Sequence, residues 1–149
     1  MIGYQRKSKI ALIILLVMAW LPTNSSVVKL NYDTFSEERM IRLARQIGIR
    51  YVDVMVAQSK IETAHYTSLV FKDNKNLFGM KLARIRETTA IGEQHNHADY
   101  VSWQQSVADY KLWQDRVIHK LNTKQKYLAY IDKYYAENKQ YVNLIKRML

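Results

Sequence analysis

From residue 23 onward the chain contains no proline, because its only one is Pro22. Nothing beyond that point interrupts a helix by removing an amide donor. Glycine is nearly as scarce, with only Gly48, Gly79 and Gly92 in the same stretch. Apolar residues recur there at helical spacing, which holds the chain to an α-rich fold. Thr34 with Glu37 forms a capping-box start; Met40, Ile41, Leu43, Ala44 and Ile47 follow, and Gly48 suits the stop. A second helix is expected from Tyr51 to about Tyr66, with Val54, Met55, Ala57, Ile61 and Ala64 on its buried side. Gln58 lies one turn before Glu62, and His65 and Tyr66 one turn after it, so these polar residues share a partly wet face that opens on a cleft. Ser102 with Gln105 starts a third helix, whose apolar side is Val107, Tyr110, Trp113 and Val117. A fourth spans about Thr123 to Tyr135 with Tyr127, Leu128, Ile131 and Tyr134 inward, and "NKQYVNLIKRML" closes the chain as a fifth.

Between Phe71 and Trp103 the helical period fades, and two of the glycines fall there. "RIRETTA" (84–90) alternates, and "HADYVSW" (97–103) is its expected partner strand, with "IGEQHN" connecting them. Two strands are marginal alone, so this small β element must pack on the helices. A length of 149 residues suits one domain. The chain has no cysteine, so it can form no disulfide, thiol nucleophile or zinc–thiolate site, and its core alone must hold it.

Charge and the N-terminus narrow the partners. The formal net charge is +10, which favours a polyanion: nucleic acid, anionic lipid or an acidic wall polymer. "RKSK" (6–9) precedes the apolar Ile10–Leu21 segment and then "PTNSS", the layout of a secretory signal or signal anchor over residues 1–26. Twelve apolar residues fall short of the ~20 of a full membrane span. The expectation is an exported protein (periplasm, envelope or secreted) whose single functional domain covers 27–149, with Ile10–Leu21 available as a membrane anchor. Export argues against a nucleic-acid partner, and no recognition-helix pattern is present.

Few residues remain to carry chemistry. His65, His95, His97 and His119 lack metal-ligand spacing, so no metal is expected. Ser59, Ser68, Ser102 and Ser106 lack a glycine-flanked elbow, and no glycine-rich phosphate loop exists, so no cofactor is expected. Glu62 stands out as a carboxylate within an apolar-periodic helix beside aromatics. Burial raises a carboxyl pKa and would let it serve as a general acid, whereas an ion pair with a neighbouring cation would leave it structural. Aromatic faces also stack on sugars. Tyr110 and Trp113, at helical spacing, are assigned to the core, and Phe78 and Tyr100, off the helices, to a cleft wall.

"AQSKIETAHYTS" (57–68) followed by "NKNLFGMK" (74–81), Thr88-Thr89 and "YVSW" (100–103) resembles the glucosaminidase domain of glycoside hydrolase family 73, which includes flagellar peptidoglycan hydrolases and bacterial autolysins. The closing "YAENKQYVNLIKRM" is similar to the family's tyrosine-rich end, so the resemblance spans about Phe35 to Leu149. It implies a mainly α, lysozyme-like fold: a helical lobe and a small β-hairpin lobe flanking a glycan cleft. It implies cleavage of the β-1,4 bond after N-acetylglucosamine in peptidoglycan by a monomer. Glu62 falls on the family's catalytic acid, with Gln58, His65, Asn76, Phe78 and Tyr100 as substrate-binding residues and Gly79 allowing close backbone approach. Where several members carry a second glutamate after Thr-Thr, this chain has Ala90 and Ile91; Glu93 is the nearest later acid and Glu87 the nearest earlier one. Inversion through Glu93 and assistance by the substrate's own 2-acetamido group both stay open. So do two other functions, a lytic transglycosylase and a catalytically silent peptidoglycan-binding protein.

Overall fold

The computed structural model describes residues 34–135 and 140–149; the signal peptide or anchor expected over residues 1–26, Ile10–Leu21 included, lies outside the described residues. Among the described residues six helices and one hairpin follow in order: α1 (Glu37–Gln46), α2 (Val52–Glu62), α3 (Leu69–Asn74), β1 (Gly92–Gln94), β2 (His97–Asp99), α4 (Trp103–Ile118), α5 (Lys124–Tyr134) and α6 (Tyr141–Met148). Thr34–Leu149 forms one compact unit. No described helix is long and apolar enough to cross a membrane.

α2 is the pivot because it is buried on two sides. Met55 joins a core built from Met40 and Ala44 of α1, Leu77 and Phe78, and Trp103, Val107 and Tyr110 of α4. Val54 and Ala57 join a second core with Ile118, with Tyr127, Leu128 and Ile131 of α5, and with Tyr141, Val142 and Ile145 of α6. One face was expected to be partly wet, yet Gln58 is fully buried. Its Oε1 accepts from the Tyr110 hydroxyl at 2.7 Å.

Several boundaries differ from the sequence expectation, each for a local reason. Ser36, not Thr34, caps α1, its hydroxyl accepting from Arg39 N at 3.3 Å. Gly48, in the left-handed region at φ +76°, ends that helix as expected. α2 stops at Glu62 rather than Tyr66, because Ala64, His65 and Tyr66 all have positive φ. The buried Thr63 fixes this turn: its hydroxyl donates to Ser59 O at 2.5 Å and accepts from Tyr66 N at 2.8 Å. Leu69–Asn74, where periodicity had faded, is a short helix capped by Ser68.

The hairpin is shorter and later than expected. Gly92 pairs with Asp99, Glu93 with Ala98 and Gln94 with His97, while "RIRETTA" is irregular. His95 and Asn96, at φ 50° and 57°, make a two-residue turn in which both positions are left-handed, the geometry that matches strand twist. Asn74 Nδ2 donates to Gln94 O at 2.6 Å and His97 O at 3.3 Å, and Ala98 N donates to Met80 O at 2.8 Å. A hairpin this small is thereby tied to the helical lobe from two directions. Tyr134, expected inward, is 63% exposed.

Candidate active site

Glu62 is the last residue of α2, where the negative end of the helix already disfavours a carboxylate. It opens on a cavity of about 800 Å³, a size suited to a small ligand. The walls are Ile61 and Glu62 of α2, the Phe78–Ala83 segment, Arg86, His97 of β2, Trp113 of α4, Tyr134 and Tyr135 at the end of α5, and Tyr141 of α6. Among these lining residues Glu62 is the sole carboxylate. Burial pushes its carboxyl above the ordinary value, opposed by the hydrogen bond from Tyr141 and by the charge of His97. The Tyr141 hydroxyl donates to Glu62 Oε1 at 2.6 Å across 79 positions of sequence.

Gly79 faces the other oxygen. Its φ is +61°, and a Cβ at that position would lie 2.8 Å from Glu62 Oε2. Glycine is therefore required twice, for the backbone region and for the approach. The turn before it is built by Asn76, whose Nδ2 donates to Met80 O and Ala98 O, both at 2.9 Å. Asn76 Oδ1 accepts from Phe78 N and Met80 N, both at 3.2 Å. Tyr135 donates its hydroxyl to Phe78 O at 2.5 Å, closing the turn from α5.

The irregular Lys81–Ile91 stretch is held by a buried acid that the sequence reading passed over. Asp109 of α4 takes Arg86 through both oxygens, at 2.7 and 2.8 Å, and the Tyr100 hydroxyl at 2.8 Å. Burial would raise its carboxyl pKa, but the hydrogen bonds from Arg86 and Tyr100 outweigh this and hold it below the ordinary value. Within "SVADYKLW" Asp109 reads as a solvated helix acid; only its place between Val107 and Tyr110 on the apolar side hinted at burial.

The other sequence candidates separate. Phe78 lines the cavity but is 1% exposed, its ring against Tyr110 at 4.4 Å. Trp113, assigned to the core, packs against both cores and also reaches the cavity. Gln58, Asn76 and Tyr100 are buried behind the wall, and His65 sits on the exposed turn after α2. None of these four lines the cavity. Glu93 is on β1 with its carboxylate 3.6 Å from Arg84, outside the cavity lining, as is the exposed Glu87. His95 pairs with Asp73 at 3.3 Å, and among the described residues no three His, Cys, Asp or Glu side chains gather as a metal site.

A helical lobe, a tethered hairpin and a half-buried acid in the cleft between cores and hairpin are the parts of a lysozyme-like glycoside hydrolase. Residues 37–149 match the family model described as mannosyl-glycoprotein endo-beta-N-acetylglucosaminidase, and the chain belongs to this glucosaminidase family. The catalytic domain of the autolysin Auto from Listeria monocytogenes shares the fold at a TM-score of 0.50 and 15% identity, over 97% of this chain and 94% of that one. No curated protein sequence matches.

Proposed function

We propose that the protein is a peptidoglycan hydrolase that cleaves the β-1,4 bond after N-acetylglucosamine, with Glu62 as general acid. The observation that carries this is the state of Glu62: a carboxyl raised by burial, held by Tyr141 and facing a glycine that leaves its second oxygen open to the cleft. Burial favours the protonated form of such a group, the form that delivers a proton to the leaving oxygen. The autolysin neighbour and the basic charge both fit a wall glycan, whose peptide stems are anionic. That substrate lies outside the cytoplasmic membrane, which fits the export segment at residues 1–26.

With one carboxylate among the described residues of the cavity lining, we take the substrate's 2-acetamido group as nucleophile, with retention of the anomeric configuration. Digestion of purified peptidoglycan, with the new ends identified by mass spectrometry, tests the proposal. Reducing N-acetylglucosamine ends made by the parent but not by Glu62→Gln are expected. Anhydromuramyl ends would make it a transglycosylase, and glycan binding without cleavage a silent binding protein. Glu93→Gln is expected to keep near-normal turnover. A loss as deep as that of Glu62→Gln would point to inversion, with carboxyls about 6.5–9.5 Å apart.

A further inference from the structure

His97 shares the cavity with Glu62. Its Nδ1 lies 2.7 Å from the carbonyl oxygen of His95. A carbonyl only accepts, so Nδ1 carries a hydrogen and is engaged, which leaves Nε2 as the ring nitrogen that can meet a ligand, with a lone pair in the neutral tautomer. The backbone beneath is fixed independently of the ring, through Asn74 to His97 O and Ala98 N to Met80 O. The other side-chain nitrogens of the described lining have no lone pair to offer, Lys81 and Arg86 being cations and the Trp113 indole a donor only. The Tyr135 and Tyr141 hydroxyl hydrogens are committed to Phe78 O and Glu62. The described lining thus holds one carboxyl that can give a proton and one imidazole nitrogen that can accept one.

We propose that His97 is a second catalytic residue, whose Nε2 accepts the N–H of the substrate's 2-acetamido group and aims its carbonyl oxygen at C1. This rests on the glucosaminidase reading above and assigns the group that reading leaves unnamed. In the first step Glu62 gives its proton to the glycosidic oxygen, and the C1–O bond breaks with its electron pair going to that oxygen. The acetamido oxygen bonds to C1, and the amide proton passes to His97, leaving a neutral oxazoline between a carboxylate and an imidazolium. In the second step water adds to C1 and its proton goes to Glu62. The bond between C1 and the acetamido oxygen breaks, and His97 returns the amide proton.

The test uses the full chain, His97→Ala and His97→Gln, the last keeping an acceptor oxygen near the Nε2 position. The probe is a chito-oligosaccharide ending in N-acetylglucosamine-thiazoline, which mimics the cyclised acetamido group, against a plain oligosaccharide of equal length. His97→Ala is expected to lower kcat about a hundredfold with little change in KM, the usual contribution of a positioned proton acceptor. It is also expected to weaken thiazoline binding about tenfold, one hydrogen bond's worth, while plain oligosaccharide binding holds. His97→Gln recovers part of the thiazoline affinity, and the parent's first product is the β-anomer by NMR. Full turnover in His97→Ala, equal loss of both ligands in both variants, or an α-anomer product would each overturn the proposal. Normal glycan cleavage with an indifferent His97→Ala removes His97 alone. A parent that neither cleaves nor binds any glycan removes the glucosaminidase reading, and this proposal with it.

Discussion

A methyl group added at position 79 would press on Glu62 Oε2 from 2.8 Å in a backbone region that L-residues avoid. Gly79→Ala is therefore expected to destabilise the fold by about 1–3 kcal/mol, the range for a residue forced into an unfavourable backbone conformation. It should also cost activity, since the nearest atom to move is the acid itself; thermal melting and turnover check the two separately. Tyr141→Phe acts on the same carboxyl from the other side. The tyrosine hydroxyl stabilises the ionised form, so its removal raises the Glu62 pKa further. The alkaline limb of kcat/KM, where the acid loses its proton, should then move to higher pH. Movement to lower pH would contradict the assignment of that limb to Glu62. Of this pair only one partner was readable in advance. Gly79 stands in a motif near Glu62 in sequence, but Tyr141 is 79 positions away and its approach depends on how α6 packs. Likewise Phe78 and Tyr100 were credited with a cleft role because they lie off the long helices. Burial took Tyr100 to Asp109, while Trp113 both packs on the two cores and reaches the cavity.

At the scale of elements, the loop from Lys81 to Ile91 has no strand ladder of its own, and Asp109 substitutes for one by gathering Arg86, Tyr100 and Thr89 N. Asp109→Ala leaves a largely buried guanidinium unpaired, a change that typically costs about 3–5 kcal/mol. Because the folded-state pKa of Asp109 is depressed, its contribution is present above the ordinary carboxyl value and is lost as pH falls through the folded value. Acid unfolding of the parent should therefore be steeper than that of Asp109→Asn, which has no such group to protonate. Helices were the readable elements because their periodicity is local: α1, α4, α5 and α6 all lie where the apolar spacing put them. The hairpin was misplaced because threonine-rich alternation in "RIRETTA" imitates a strand, whereas the real ladder is set by the His95–Asn96 turn and by Asn74 donating across from α3. No short-range pattern reports a side chain that arrives from another helix. The double burial of α2 was hidden similarly, since a helix apolar on two sides has no single stripe to count.

At the scale of the whole molecule, the cleft asks α2 to end on a desolvated acid, and the fold bears the consequence in its pH dependence. Glu62 has a raised pKa in the folded state, so the fold binds its proton more tightly than the unfolded chain does. Stability attached to this group is present below the unfolded carboxyl value and is lost as pH rises through the folded value. Glu62→Gln, which has no charge to desolvate, should therefore melt higher than the parent at neutral pH while showing no cleavage. The difference should vanish in acid, where both proteins carry an uncharged side chain. Equal melting at both pH values would mean that Glu62 is solvated enough to ionise freely, and would remove the physical basis for its role as acid. The net charge of +10 acts over longer range and on a different step. Lys81 at the cavity, which has no acidic partner among the described ion pairs, places part of that charge where an anionic glycan would arrive. Electrostatic capture of this kind raises the on-rate and is screened beyond the Debye length of ~8 Å at physiological salt. Binding of Glu62→Gln to purified peptidoglycan should weaken steeply between low and physiological salt, mainly through slower association. A salt-insensitive association rate would assign the charge to some partner other than the wall.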